Sequence, residues 1–145
     1  MLTKKIVIVD DDETIRKTFF LLLGKKYRVS AAKDSEEALA RLGHAKADLV
    51  IVDYKLPSTN GMELIKRLRA SGFEGEAMLI SAHPDLVRIE DLNRYSVSHF
   101  FVKPLDLDVL GFERRRENDV AQEVEGFLEM GVEAVGVAAG VFLGR

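Results

Sequence analysis

Residues 49–62 read Leu49-Val-Ile-Val-Asp53-Tyr-Lys-Leu-Pro57-Ser-Thr-Asn-Gly61-Met62. Four apolar residues run without a break and stop on a carboxylate. An uninterrupted apolar run, unlike an alternating one, suits a strand covered on both faces. After a turn, Asn60 with Glu63 three residues on forms a helix-opening pair. Leu64, Ile65 and Leu68 then share one helical face until Ser71-Gly72 closes the segment. The stretch is one strand–helix unit, with Asp53 at the carboxyl end of its strand.

The same unit recurs outward in both directions. Ile6 to Val9, Tyr27 to Ala31, Ala77 to Ile80 and Phe100 to Val102 are the other short β-rich runs. Between them, Ile15, Phe19, Leu22 and Leu23 share a helical face that Gly24 can stop, and Asp34 with Glu37 opens a helix through Ala38, Leu39 and Leu42. A thinner stripe of Leu86, Ile89 and Leu92 follows Pro84. Five such units predict an α/β, doubly wound parallel sheet with right-handed crossovers and helices on both faces.

A chain of 145 residues holds one such domain and a short extension. Its net charge of −3 argues against direct nucleic-acid binding, and Arg114-Arg115-Arg116, flanked by Glu113 and Glu117, reads as a solvated helix face. With no Cys there is no disulfide framework and no thiolate chemistry. The apolar run near the N-terminus is too short for a signal peptide, and Ala134 to Leu143 is too short to span a bilayer. A cytoplasmic location is expected.

Ligands of an open parallel sheet sit beyond the carboxyl ends of its strands. There the sequence places Asp10-Asp11-Asp12, Asp53, Ser81 and Lys103-Pro104. Crowded carboxylates repel one another unless a cation joins them, and Mg²⁺ suits a few carboxylates plus phosphate oxygens. A carboxylate beside that ion can be a nucleophile toward a phosphoryl donor, with Lys103 and Ser81 stabilising the transferring oxygens. Singly, each residue has a bland reading as a cap or loop position; four strand ends carrying complementary groups do not.

At these motifs the chain resembles the response-regulator receiver family. Ile-Val-Asp10-Asp11-Asp12, Val-Asp53-Tyr-Lys-Leu-Pro57 through Gly61-Met62, Leu-Ile-Ser81-Ala and Phe100-Phe-Val-Lys103-Pro104 carry the resemblance in the family's order. It implies a flavodoxin-like (βα)5 sheet of order 2-1-3-4-5, over residues 1–112. It implies a phosphorylation-activated switch of two-component phosphorelay rather than an enzyme. Asp53 is the implied phospho-acceptor, with Mg²⁺ held by Asp10, Asp11, Asp53 and the Lys55 carbonyl. Ser81 is the switch hydroxyl, Lys103 the phosphate partner, Phe100 the aromatic switch position, and Lys103-Pro104 a cis bond. Lys55 and His83 occupy positions that tune phosphate lifetime, whereas Asp12 is expected near a helix start. The implied partners are a histidine kinase or phosphotransfer protein, and an output partner on the face of helix four, strand five and helix five.

Residues 113–145 are expected to form a C-terminal helical extension. Val120, Val124, Phe127, Leu128, Val132 and Val135 fall at helical spacing, which suits packing on the domain or a homodimer contact. Two other functions stay open. Asp10-Asp11-Asp12-Glu13-Thr14 also fits the first motif of haloacid-dehalogenase-like phosphatases, although Asp53 is then unexplained. A receiver-fold interaction module without phosphorylation is the other.

Overall fold

The computed structural model describes residues 3–44 and 46–103. In chain order these are β1 (Lys5–Val9), α1 (Glu13–Leu23), β2 (Arg28–Ala32), α2 (Ser35–His44) and β3 (Leu49–Asp53). A small antiparallel hairpin follows, Lys55–Leu56 against Thr59–Asn60, then α3 (Gly61–Ala70) and β4 (Glu76–Ser81). A 3-10 turn (Pro84–Leu86), α4 (Ile89–Arg94) and β5 (Val97–Val102) complete the described part. The five long strands are all parallel, in the expected order β2-β1-β3-β4-β5.

Successive strand side chains point to opposite faces, and both faces are apolar. Ile6, Ile8, Ile51, Ile80 and Phe101 meet Ile15, Phe19 and Leu23 of α1. Val7, Val9, Val52, Leu79 and Phe100 meet Ala38, Leu64, Leu68 and Leu92 from α2, α3 and α4. That double burial is why the strands read as unbroken apolar runs. The helix starts are capped as their sequences predict: Asp12 Oδ1 accepts from Thr14 N at 2.8 Å, Asp34 Oδ1 from Glu37 N at 2.9 Å, and Asn60 Oδ1 from Glu63 N at 2.9 Å.

Three local expectations are corrected. β2 starts at Arg28, one residue late, because Tyr27 packs in the α1 layer ahead of the strand. β5 starts at Val97, before the apolar run, because Ser98 and His99 belong to it: Ser98 Oγ donates to Glu76 Oε2 at 2.7 Å, and the buried His99 ring stacks on Phe101. Leu86 and Ile89 do not share a buried stripe with Leu92; they are 55% and 50% exposed. Extended backbone at Val87 and Arg88 separates the 3-10 turn from α4 and resets the helical phase.

The cis Lys103-Pro104 bond, the domain end at residue 112, the helical extension and the homodimer contact expected there lie outside the described residues. Among the described residues, no helix is long and apolar enough to cross a membrane.

Candidate functional site

β1 and β3 are adjacent, with Val9 in register with Val52, so the residues that follow, Asp10 and Asp53, emerge side by side at the rim. One oxygen each of Asp10, Asp11 and Asp53 lies within 4.8 Å of the others. Lys103, just after β5, reaches across: its Nζ stands 3.3 Å from Asp53 Oδ1 and 3.6 Å from Asp10 Oδ2. Asp10 Oδ1 accepts from the Asp12 amide at 2.9 Å. Asp12 itself caps α1, as expected, and does not join the cluster.

Asp10 and Asp53 are buried, whereas Asp11 is exposed. Burial raises the Asp10 carboxyl to about 6; the Asp12 amide and Lys103 pull the other way, and the neighbouring carboxylates push further up. Burial also raises Asp53, against the charge and hydrogen bond of Lys103. Desolvation would lower Lys103, but the charges of Asp10 and Asp53 override it and raise it. A divalent cation fits this arrangement. Three carboxylates gather at one point, two of them paired with Lys103, and the buried Asp10 Oδ2 accepts no hydrogen bond among the described residues.

Ser81 ends β4 and is buried; its Oγ accepts from the His83 amide at 2.9 Å, and its carbonyl accepts from Lys103 N at 2.8 Å. A hydroxyl that accepts from His83 still has its proton to donate. The side chains of Lys55 and His83 are exposed near this rim. Phe100, by contrast, is buried in the layer of α2, α3 and α4, so the ring already occupies the interior.

One contributor escaped the sequence reading, and a second was quoted there without a role. Arg16 Nη1 donates to the Asp10 carbonyl at 2.6 Å, tying α1 to the strand end. Its place six residues after Asp10 on a helix is the only signal it leaves. Gly61 packs so closely that a Cβ there would lie 2.4 Å from the Asp53 carbonyl oxygen. The glycine after a helix-capping Asn is visible in sequence, but the close approach needs the fold.

A model of the response regulator receiver domain matches residues 6–111. The chain belongs to the response regulator receiver family. Two-component response regulator PhoP of Pseudomonas aeruginosa is 29% identical over 132 residues, covering 90% of this chain and 57% of that protein. Sporulation initiation phosphotransferase F of Bacillus subtilis is 29% identical over 109 residues, covering 74% of this chain and 88% of that one. Chemotaxis response regulator CheY4 of Vibrio cholerae shares the fold, with a TM-score of 0.67 at 24% identity over 85% of this chain and 99% of that chain. The response regulator TrrA of Thermotoga maritima, solved with Mg²⁺ and BeF, has a TM-score of 0.61 at 27% identity over 79% of this chain and 98% of that one. This chain thus spans little more than half of the Pseudomonas regulator. The receiver is a signalling module of two-component response regulators.

Proposed function

We propose that this receiver is switched by phosphorylation of Asp53 in the presence of Mg²⁺. The observation that carries the reading is Lys103 Nζ at 3.3 Å from the buried Asp53 carboxylate, with Asp10 and Asp11 completing an acidic cluster on the same rim. Asp10, Asp11, Asp53 and the Lys55 carbonyl would hold the ion. When bound, Mg²⁺ supplies positive charge for the phosphoryl oxygens and relieves the repulsion among the carboxylates.

An ionised Asp53 oxygen attacks phosphorus. The bond from phosphorus to the donor atom breaks, and its electron pair leaves with the imidazole of a phosphohistidine or the carboxylate of acetyl phosphate. Lys103 opposes the upward pull of burial on the Asp53 carboxyl and then pairs with a phosphoryl oxygen. Ser81 donates its hydroxyl proton to another oxygen, while its lone pair stays on the His83 amide. That turn of Ser81, beside the already buried Phe100, would pass the change to the α4–β5 face, where an output partner docks. Lys55 and His83 flank the approach of hydrolytic water and set phosphate lifetime. Residues 1–112 would form the switch, working in the cytoplasm.

Asp53→Asn should abolish labelling by acetyl phosphate with Mg²⁺, and Asp11→Asn should weaken Mg²⁺ binding and slow labelling. Wild-type labelling of Asp53→Asn would place the acceptor elsewhere.

A further inference from the structure

The sheet's opposite end carries a feature unrelated to the acidic rim. A groove of about 500 Å³ opens between α2 and the starts of β1 and β2. Four cations line it: Lys5, Arg28, Arg41 and Lys46. Arg41 is shared with Glu37 at 3.7 Å, and Asp48 spends its Oδ2 on the Lys5 backbone N–H at 2.7 Å. Among the described residues, the side chains of Lys5, Arg28 and Lys46 have no acidic partner. Between the cations the lining is apolar, with Val7, Val29 and Ala40. The groove therefore suits a ligand that is acidic and apolar by turns.

One such sequence lies in this chain. Glu117 to Glu133 contains six of the chain's 24 acidic residues and no Lys or Arg, so a chain of net charge −3 would carry +3 without it. Val120, Val124, Phe127, Leu128 and Val132 are interspersed among those acids. We propose that the groove is the docking site of this segment. The reach is sufficient: with residues 104–112 taken as the receiver's last helix at about 1.5 Å each, and the five residues on to Glu117 extended at about 3.3 Å each, the tether covers about 30 Å. The sheet it must pass is about 19 Å wide, four spacings of about 4.8 Å, and each strand is about 17–20 Å long. Binding at the end of the sheet remote from Asp53 leaves the acidic rim open, so the segment can stay docked while Asp53 reacts.

The chain has no Cys, so Gln122→Cys in the full-length protein gives a single site for a nitroxide. Its paramagnetic broadening should fall on the amides of Arg28 to Ser30 and of Arg41 and Lys46. The broadening should be lost in about 1 M salt, where the screening length falls to about 3 Å. It should also be lost with Arg28→Glu plus Lys46→Glu, and return when Glu125→Lys plus Glu129→Lys are added to that pair. Broadening centred on the exposed Phe20 and Leu21 of α1, or unchanged by charge reversal, overturns the proposal. So does broadening that passes only from a labelled chain to a separate isotope-enriched one, since the occupant would then be a second copy.

Discussion

Ser58 and Gly61 sit on the turn that carries β3 into α3, and each makes a different demand on the backbone. Ser58 has φ 65°, a left-handed conformation that follows Pro57 in a two-residue hairpin loop. Proline suits the first loop position, but the second favours glycine or asparagine. Ser58→Gly removes the strain of a Cβ there and adds unfolded-chain entropy, so a net gain of about 0.5 kcal/mol is expected, read as a higher urea midpoint. Gly61→Ala should do the reverse. Its Cβ would lie 2.4 Å from the Asp53 carbonyl oxygen and 2.8 Å from Val52 Cγ1, neither of which can swing away freely. A loss of about 1–3 kcal/mol follows from such overpacking, together with slower labelling at Asp53. Wild-type stability in Gly61→Ala would mean that β3 and α3 separate at little cost. Lys55 and His83, both exposed, act more weakly. Their alanine variants should speed decay of the phosphorylated protein by no more than roughly tenfold. Slower decay in His83→Ala would instead show that the histidine helps water attack.

The elements are fastened by contacts that pattern reading does not reach. Arg69, near the end of α3, donates to the carbonyls of Phe73 at 3.1 Å, Gly75 at 2.6 Å, Tyr95 at 3.0 Å and Ser96 at 3.1 Å. One guanidinium thereby joins α3 to the entry of β4 and to the turn before β5, where Ser96 has φ 55°. Arg69→Met keeps the apolar stem but strands these acceptors, and should cost about 2–3 kcal/mol in urea unfolding. Arg69→Lys should recover only part of that, because an ammonium lacks the planar fork. A neutral Arg69→Met would show that water replaces the guanidinium. In sequence, Arg69 is one more charged residue on a helix, indistinguishable from the exposed Arg67. The strands were legible because burial on both faces leaves unbroken apolar runs, and the rim because Asp10, Asp53, Ser81 and Lys103 each end such a run. β5 was cut short because a buried His and a hydrogen-bonded Ser imitate a loop. α4 was misphased because two extended residues interrupt its apolar spacing.

At the scale of the whole molecule, two buried titrating groups act oppositely on stability in the same pH window. Asp10 is raised from 3.8 to about 6 by burial, so the folded state holds its proton more tightly than the unfolded state. Metal-free protein should therefore lose stability as pH rises from about 4 to 6, by about 3 kcal/mol at most at about 1.4 kcal/mol per unit. Asp53, also raised by burial, adds in the same sense. His99 is lowered by burial from 6.5 to about 4. Its contribution is fully present above pH 6.5 and is lost as pH falls toward 4. Lys103, raised by the rim carboxylates, stays charged throughout. His99 offsets most of the Asp10 slope, so the unfolding free energy of the metal-free protein should fall only gently between pH 4 and 6, by the part that Asp53 adds. Saturating Mg²⁺ favours ionised carboxylates and binds more tightly as they deprotonate, so stability should then climb across that window. His99→Leu in a chelator supplies the converse: with the histidine gone, stability should fall as pH rises from 4 to 6. A flat profile for that variant would mean that the Asp10 carboxylate is already solvated at the rim, and the electrostatic case for a cation there would fail with it.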